Sequence, residues 1–333
     1  MGLAGSSHLM EGQLHHFFQV AIGARNQLFV LHQVSESNAH ILSHLMKNAL
    51  TIDLEDYFHV SAYAGKVRME EWDSYPSRVE QNTDRLLELL AEHNCLATFF
   101  VLGWVAEKKP EVVARVADAG HEIACHSMLH RRIFDLTPQE FREDTRRAKT
   151  VIEDTTGKQV VGYRAPSFSV TKKSSWALDI LVEEGFQYDS SIFPVEHPSY
   201  GIPDAPRTPY WIYTASGPIL EFPMPTLAMG SKRSPIGGGA YLRLLPYSYT
   251  LRSIRYLNQH EDSPVCVYIH PWELDPEQPR MGGSLSARAR HYFGLGGTET
   301  KLRKLIRDVE FCPLAALVSQ LRVENHCPCA RLG

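Results

Sequence analysis

Ala49-Leu50-Thr51-Ile52-Asp53 is an apolar run that ends on an acid, and its reading decides the fold. A run this short, closed by a charged side chain, reads as a buried strand. The same figure recurs down the chain. Glu122-Ile123-Ala124-Cys125 ends on His126, Val160-Val161-Gly162-Tyr163 on Arg164, Phe186-Gln187-Tyr188 on Asp189, and Val265 to Ile269 on His270. Ala97 to Leu102 is a further apolar run, stopped by Gly103. Helical stretches lie between them. One runs from Ser77 to about His93, with Val79, Leu86, Leu87 and Leu90 on one face. Another, Glu111 to Ala119, follows Pro110; a capping box, Thr137-Pro138-Gln139-Glu140, opens a third that ends near Gly157. A fourth begins at Ser174 or Ser175 and is closed by Gly185. Strands alternating with helices imply βαβ units and a parallel sheet or barrel. In such a barrel the active site is built at the C-terminal strand ends, where Asp53, His126, Arg164, Asp189 and His270 all fall.

The bulk composition excludes little. The 333 residues carry 34 Lys+Arg against 38 Asp+Glu, a net charge of -4, with 44% hydrophobic and 22% charged residues. That is the balance of a globular protein and not of a disordered one. It gives no support to nucleic-acid binding, which wants a basic surface. Histidine is frequent at 16, but His8, His15, His16, His32, His40 and His44 all precede Met46. That leader has no basic start, and Arg25 interrupts its most apolar part, so it reads as neither secretory signal nor membrane span. We read Met46 as the true start and residues 1–45 as a non-native or poorly ordered extension; a helical appendage is the alternative. Residues 46–235 are then the catalytic barrel. Residues 236–333 complete it, contribute His270 and add helices, with helical patterning along the tail from Thr298 to Leu321. The Pro-dense stretch from Ser191 to Pro235 reads as loops and short hairpins over the barrel mouth. Gly237-Gly238-Gly239 reads as a tight turn or a close approach to substrate. The six Cys have no Cys-x-x-Cys spacing, and Cys125 and Cys266 read as small buried hydrophobes. A cytoplasmic location with reduced thiols follows from this reading.

His126-Ser-Met-Leu-His130 puts two imidazoles four residues apart. A helical turn or a tight loop would set both on one side, ready to share a divalent ion. One buried and one exposed His is the bland alternative. Asp53-Leu54-Glu55-Asp56 places three acids in four residues behind an apolar strand, where repulsion calls for a cation. One acid could complete a two-His, one-carboxylate site and another act as general base. Arg164 could hold an acid ionised, or be a structural ion pair. His270, in Tyr-Ile-His-Pro-Trp-Glu, is a candidate general acid that Asp189 could orient; a core His bonded to backbone is its bland reading.

The order of these motifs resembles the polysaccharide deacetylases, metal-dependent carbohydrate esterases that include chitin and peptidoglycan deacetylases. That family opens with Thr-Phe-Asp-Asp, against Thr51-Ile52-Asp53 followed by Leu-Glu-Asp here. Its His-Ser/Thr-x-x-His is met by His126, Ser127 and His130. Its Arg-x-Pro with a following aromatic is met by Arg164, Pro166 and Phe168. Its Asp motif is similar to Asp189-Ser190-Ser191, without the nearby Trp, and its Leu-x-His to Tyr268-Ile269-His270. Ile-Asp-Leu-Glu-Asp-Tyr-Phe, Tyr-Asp-Ser-Ser-Ile-Phe-Pro, Gly-Gly-Gly-Ala-Tyr-Leu-Arg and His-Pro-Trp-Glu further resemble the subfamily of exosortase and exopolysaccharide loci. The family fold is a distorted, incomplete α/β barrel.

The resemblance implies Asp53 as base, His270 as acid with Asp189 as its partner, and Arg164 as the clamp on Asp53. It implies a divalent metal, zinc with cobalt, nickel or manganese as alternatives, on His126, His130 and a carboxylate. Leu54 stands where the family has its second Asp, so the third ligand is Asp56 or, as the alternative, Glu55. Phe168, Tyr241 and Trp272 are expected at the substrate. The reaction implied is de-N-acetylation of N-acetylhexosamine units in an exopolysaccharide or a lipid-linked precursor, at the inner membrane face and in association with assembly machinery. An allantoinase-like hydrolysis of a small amide is the rival, against which the aromatics from Tyr210 to Tyr249 favour a sugar. Glycoside cleavage by Asp53 and a distant carboxylate would leave the two His and Arg164 without roles. A catalytically dead sugar-binding protein would not keep reactive residues at all five motifs.

Overall fold

All of Asn48–Leu54 is buried, which requires cover on both faces of the sheet that holds it. The computed structural model describes residues 46–330 except 64, 198, 199, 231, 325 and 326. The reading of residues 1–45 as an extension therefore lies outside the described residues. The first half of the chain alternates as expected: β1 (Asn48–Leu54), α1 (Val79–Glu92), β2 (Thr98–Val101), α2 (Gly103–Lys108), α3 (Pro110–Asp118), β3 (Glu122–Cys125), α4 (Pro138–Thr156), β4 (Gly162–Tyr163), α5 (Trp176–Glu183) and β5 (Tyr188–Asp189). Two hairpins follow, β6 (Tyr210–Thr214) with β7 (Gly217–Glu221), and β8 (Thr226–Met229) with β9 (Lys232–Pro235). The chain continues through α6 (Gly239–Leu244), α7 (Tyr247–His260), β10 (Cys266–Ile269), α8 (Leu285–Tyr292), α9 (Thr298–Asp308), β11 (Phe311–Cys312), α10 (Leu314–Glu324) and β12 (Cys329–Ala330).

The strands form one sheet in the order β10-β1-β2-β3-β4-β5-β7-β6-β12, with β11 also on β1. All its pairings are parallel except β6 with β7. The path ends on β10 and β12 without closing, so this is a mostly parallel α/β fold of the distorted-barrel kind. The Pro-dense segment does more than cover the mouth. Its first hairpin extends the sheet, because β7 pairs in parallel with β5. The glycine triplet is a packing device. A Cβ on Gly238 would lie 2.2 Å from the Tyr268 ring, and Gly238 bridges to Tyr268 on β10.

The capping box expected at Thr137 forms, whereas Ser77 does not cap α1: its hydroxyl donates to Asp56, and the residue at the cap is Arg78. Thr137 and Glu140 make the reciprocal capping box of α4, and Gly157 ends it at φ 64°. The far end of the sheet is sealed by α10. The Thr98 hydroxyl and the Glu122 carboxylate, at the starts of β2 and β3, accept from the first amides of that helix, Leu314 N at 2.7 Å and Ala315 N at 2.8 Å. The C-terminal strand ends are thereby left as the accessible end.

Candidate active site and metal centre

β1 delivers Asp53 and ends at Leu54, where Glu55 N donates to the Asp53 carbonyl at 3.0 Å, and this tight turn sets the Glu55 side chain beside the imidazoles of His130 and His270. The Arg164 guanidinium, fully buried, donates to Asp53 Oδ1 at 2.7 Å. It is held flat over Phe100, 4.1 Å from the ring centroid, and also donates to Thr51 Oγ1 and to the carbonyl and hydroxyl of Ser190. A guanidinium with this many fixed acceptors cannot swing away from Asp53.

His126 and His130 sit on a tight loop and not on a helical turn. Ser127 (φ 63°) and His130 (φ 51°) take the left-handed conformation, which costs L-residues energy and bends the chain so that both rings face one way. Asp144 of α4 holds the loop by accepting from Met128 N at 2.8 Å. The rings end 5.2 Å apart. Nδ1 of His126 lies 2.8 Å from the Arg164 carbonyl, which can only accept. The proton is therefore on Nδ1, and Nε2 presents a lone pair. Burial lowers the His126 pKa to about 4, so the ring is neutral at pH 7.

Glu55 completes this cluster. Its Oε2 lies 3.0 Å from His130 Nε2, is buried and has no aligned hydrogen-bond donor. Ligand atoms of Glu55, His126 and His130 all lie within 4.8 Å of one another. Burial alone would raise the Glu55 pKa; the imidazoles of His130, His270 and His126 outweigh it and hold the carboxyl well below its ordinary range. An ionised, buried, under-satisfied carboxylate between two imidazoles is a donor set that fits a divalent transition-metal ion.

Asp56 does not join this cluster, which corrects the expectation that it is the third ligand. The chain turns after Glu55, and the Asp56 carboxylate faces the start of α1. Its Oδ2 accepts from Ser77 Oγ (2.7 Å), Arg78 N (2.8 Å) and Val79 N (3.1 Å), and its Oδ1 from Tyr57 N (2.9 Å). Both oxygens are engaged, chiefly in satisfying the free amides of a helix N-terminus.

His270 follows β10, next to β1, with Nε2 3.9 Å from Asp53 Oδ2 and 3.7 Å from Glu55 Oε1. Its orienting carboxylate is Glu273, not Asp189. His270 Nδ1 lies 2.9 Å from Glu273 Oε2, which also accepts from the His270 amide at 3.0 Å. Glu273 Oε1 in turn accepts from Arg243 Nε at 2.6 Å. Burial opposes a charge on His270, but Glu273, with Glu55 and Asp53, lifts its pKa to about 9. Asp189, at the end of β5, is engaged elsewhere. It lies beside Glu221 in the β5–β7 register, and accepts from Ser191 Oγ at 2.5 Å. Burial raises the pKa of both carboxyls, and for Glu221 the neighbouring Asp189 adds to it.

The expected substrate residues are placed unevenly. Trp272 is 4% exposed, stacked on His270 and His291, with Nε1 donating to Glu55 at 3.4 Å. It is a wedge that sets ring positions and has no open face for a sugar. Phe168 is likewise buried, edge-on to Phe193 and Tyr268, and Tyr241 is half-buried against Phe193. Of the aromatics from Tyr210 to Tyr249, Tyr210 and Tyr249 are core residues. A cavity of about 300 Å³ does open beside His130, but Phe58, His59, Trp72, Leu129 and Arg131 line it. Glu273 and Arg243 were missed from the sequence. Glu273 had a signal: His270-Pro-Trp-Glu273 has the spacing and the Pro of the capping box at Thr137. Arg243 closes the Gly-Gly-Gly-Ala-Tyr-Leu-Arg motif, but only the tertiary fold brings it to Glu273.

Residues 65–187 match the family model described as Polysaccharide deacetylase, and residues 190–319 one described as Domain of unknown function (DUF3473). A Peptidoglycan deacetylase of Helicobacter pylori is 30% identical over 113 residues, 34% of this chain and 38% of that protein. A Peptidoglycan-N-acetylglucosamine deacetylase of Bacillus cereus is 35% identical over 86 residues, 26% of this chain and 29% of that protein. The chain thus spans well under half of these curated relatives. A Mycobacterium smegmatis structure described as a polysaccharide deacetylase aligns over 86% of this chain and 95% of its own, at 22% identity and a TM-score of 0.57, and so shares the fold. Residues 65–187 thus form a polysaccharide deacetylase domain, which runs directly into a DUF3473 region.

Proposed function

We propose that the protein is a metal-dependent hydrolase that removes N-acetyl groups from N-acetylhexosamine units of a polysaccharide. The observation that carries this reading is the convergence of Glu55, His126 and His130 on one point, with Asp53 and His270 at its rim. These three residues would hold the ion. When bound there, a zinc-type ion supplies Lewis acidity toward the amide carbonyl and lowers the pKa of water to about 7. Asp53, kept in place by Arg164, takes the proton from the attacking water. His270, charged at neutral pH, gives its proton to the leaving nitrogen, which otherwise would depart as a poor anion. Glu273 stabilises the charged ring before transfer and fixes its tautomer after it. Acetate and a hexosamine unit are the products.

The finer reading is an exopolysaccharide or its lipid-linked precursor, met at a membrane face. The cavity of about 300 Å³ beside His130 has the size to hold a neighbouring sugar. The test is metal content measured together with acetate release from N-acetylglucosamine oligomers. Chelation is expected to abolish release, and Glu55→Ala to lose both metal and activity. Asp56→Asn, outside the ligand set, is expected to keep its metal. Full activity in metal-free protein would sink the reading.

A further inference from the structure

Helix α8 and its exit carry an outward face that the catalytic reading does not use. Its inner side is tied to the site. His291 is 3% exposed and stacks on Trp272 at 4.4 Å, and Arg243 donates to the carbonyls of Arg290, His291 and Phe293. The outer side is different. Leu285 and Phe293, 83% and 68% exposed, are two of the three most exposed large apolar side chains among the described residues. With exposed Ala289 they recur every four residues, so they form one stripe on a helix surface. Arg288 and Arg290 flank the stripe, both exposed. Arg280 joins them by packing 4.3 Å over the ring of Tyr292. None of these three Arg makes an ion pair among the described residues, although most other exposed Arg do. Between Glu277 and Glu299 the chain has these three Arg and no acid, in a protein of net charge -4.

An apolar stripe with an Arg on each flank and a third beside it is the arrangement of a helix that lies in the plane of a bilayer surface. The apolar side chains enter the acyl boundary, and the Arg side chains reach anionic headgroups. An acidic polymer alone would not need the apolar stripe, and an apolar protein groove would not need the unpaired Arg. We propose that this face docks the protein on an anionic phospholipid surface. The inner side is rigid: His291, Trp272 and His270 are stacked in series, so docking would hold the site at a fixed spacing from the bilayer. The inference does not depend on the reaction being deacetylation.

The experiment is sedimentation of the full chain with vesicles of phosphatidylcholine, with and without about one-third phosphatidylglycerol. Binding to the anionic vesicles is expected to exceed that to the neutral ones by about tenfold at low salt and to fall in high salt. Arg288→Glu should cut it by about fivefold or more, and Leu285→Ser by several-fold. Acetate release from soluble N-acetylglucosamine oligomers, or circular dichroism if no such activity exists, should match the parent in both variants. Equal binding to neutral vesicles, or unchanged binding of both variants, overturns the proposal. Binding to soluble polyglutamate with none to vesicles overturns it too, in favour of an acidic polymer.

Discussion

Thr137-Pro138-Gln139-Glu140 and His270-Pro271-Trp272-Glu273 are two copies of one local device. Each places a hydrogen-bonding side chain, then Pro at the first helical position, then a Glu whose carboxylate reaches back to the first residue's amide. The first lies on the surface and opens a helix of 19 residues. The second is buried and opens a single 3-10 turn of 4 residues. With no long helix to stabilise, the second box holds an imidazole instead. The difference is environment. In water the Glu140 carboxylate is worth one cap. In the interior the Glu273 carboxylate needs Arg243 to stay ionised, and it then imposes charge on His270.

The largest expected effect comes from removing that charge. Glu273→Gln keeps a hydrogen-bonding shape but no longer favours imidazolium, and acetate release should fall by about a hundredfold with metal content unchanged. Glu273→Ala also leaves Arg243 buried and unpaired, at a further cost of about 3 kcal/mol or more in stability. If Glu273→Gln were as active as the parent, the second box would be a cap like the first.

A second measurement follows His270 directly. In metal-free protein its ring should titrate near pH 9 by NMR. The sign is that of a His whose folded pKa is raised. Its contribution to stability is fully present below the unfolded value of about 6.5 and is lost as pH rises through about 9. Glu273→Gln should bring the titration down, because burial then meets less opposition. A divalent ion on Glu55 should also lower it, by neutralising one of the carboxylates that face the ring. No movement in either case would separate His270 from both.

Much of this arrangement can be read from the sequence, and the boundary has a physical reason. Asp53, His126, Arg164 and His270 are legible because an apolar strand that ends on a reactive residue delivers it to a known end of the sheet. Glu55 against Asp56 stayed open because strand periodicity stops where the chain turns, and the turn is set by α1, to which Asp56 is bonded. Asp189 and His270 both follow strands, and strand ends alone would pair them. The real neighbour of Asp189, Glu221, depends on β7 lying next to β5, a pairing that skips β6. The hairpins in the Pro-dense stretch were expected, but their place in the sheet needed the same non-sequential register. The Glu273 box was written in the same letters as the one at Thr137. It went unread because a capping box is looked for ahead of a helix, and only a single turn follows His270.

The smallest effect tests the surface copy. Thr137 fills the place that His270 takes in the buried box. Its hydroxyl accepts from the Glu140 amide at 3.2 Å, in an exposed position. Thr137→Ala removes that bond but leaves Pro138 and the rest of α4, so it should cost about 1 kcal/mol, or roughly 2 °C in Tm for a domain of this size. Metal content and acetate release should not change, because Asp144, which holds the His126–His130 loop, sits two turns further along a helix that packs through Phe141, Thr145, Ala148 and Ile152. A loss of metal in Thr137→Ala would mean that fraying at the first turn travels to Asp144. The surface box would then be part of the site's support, and burial alone would no longer explain why one copy does chemistry and the other does not.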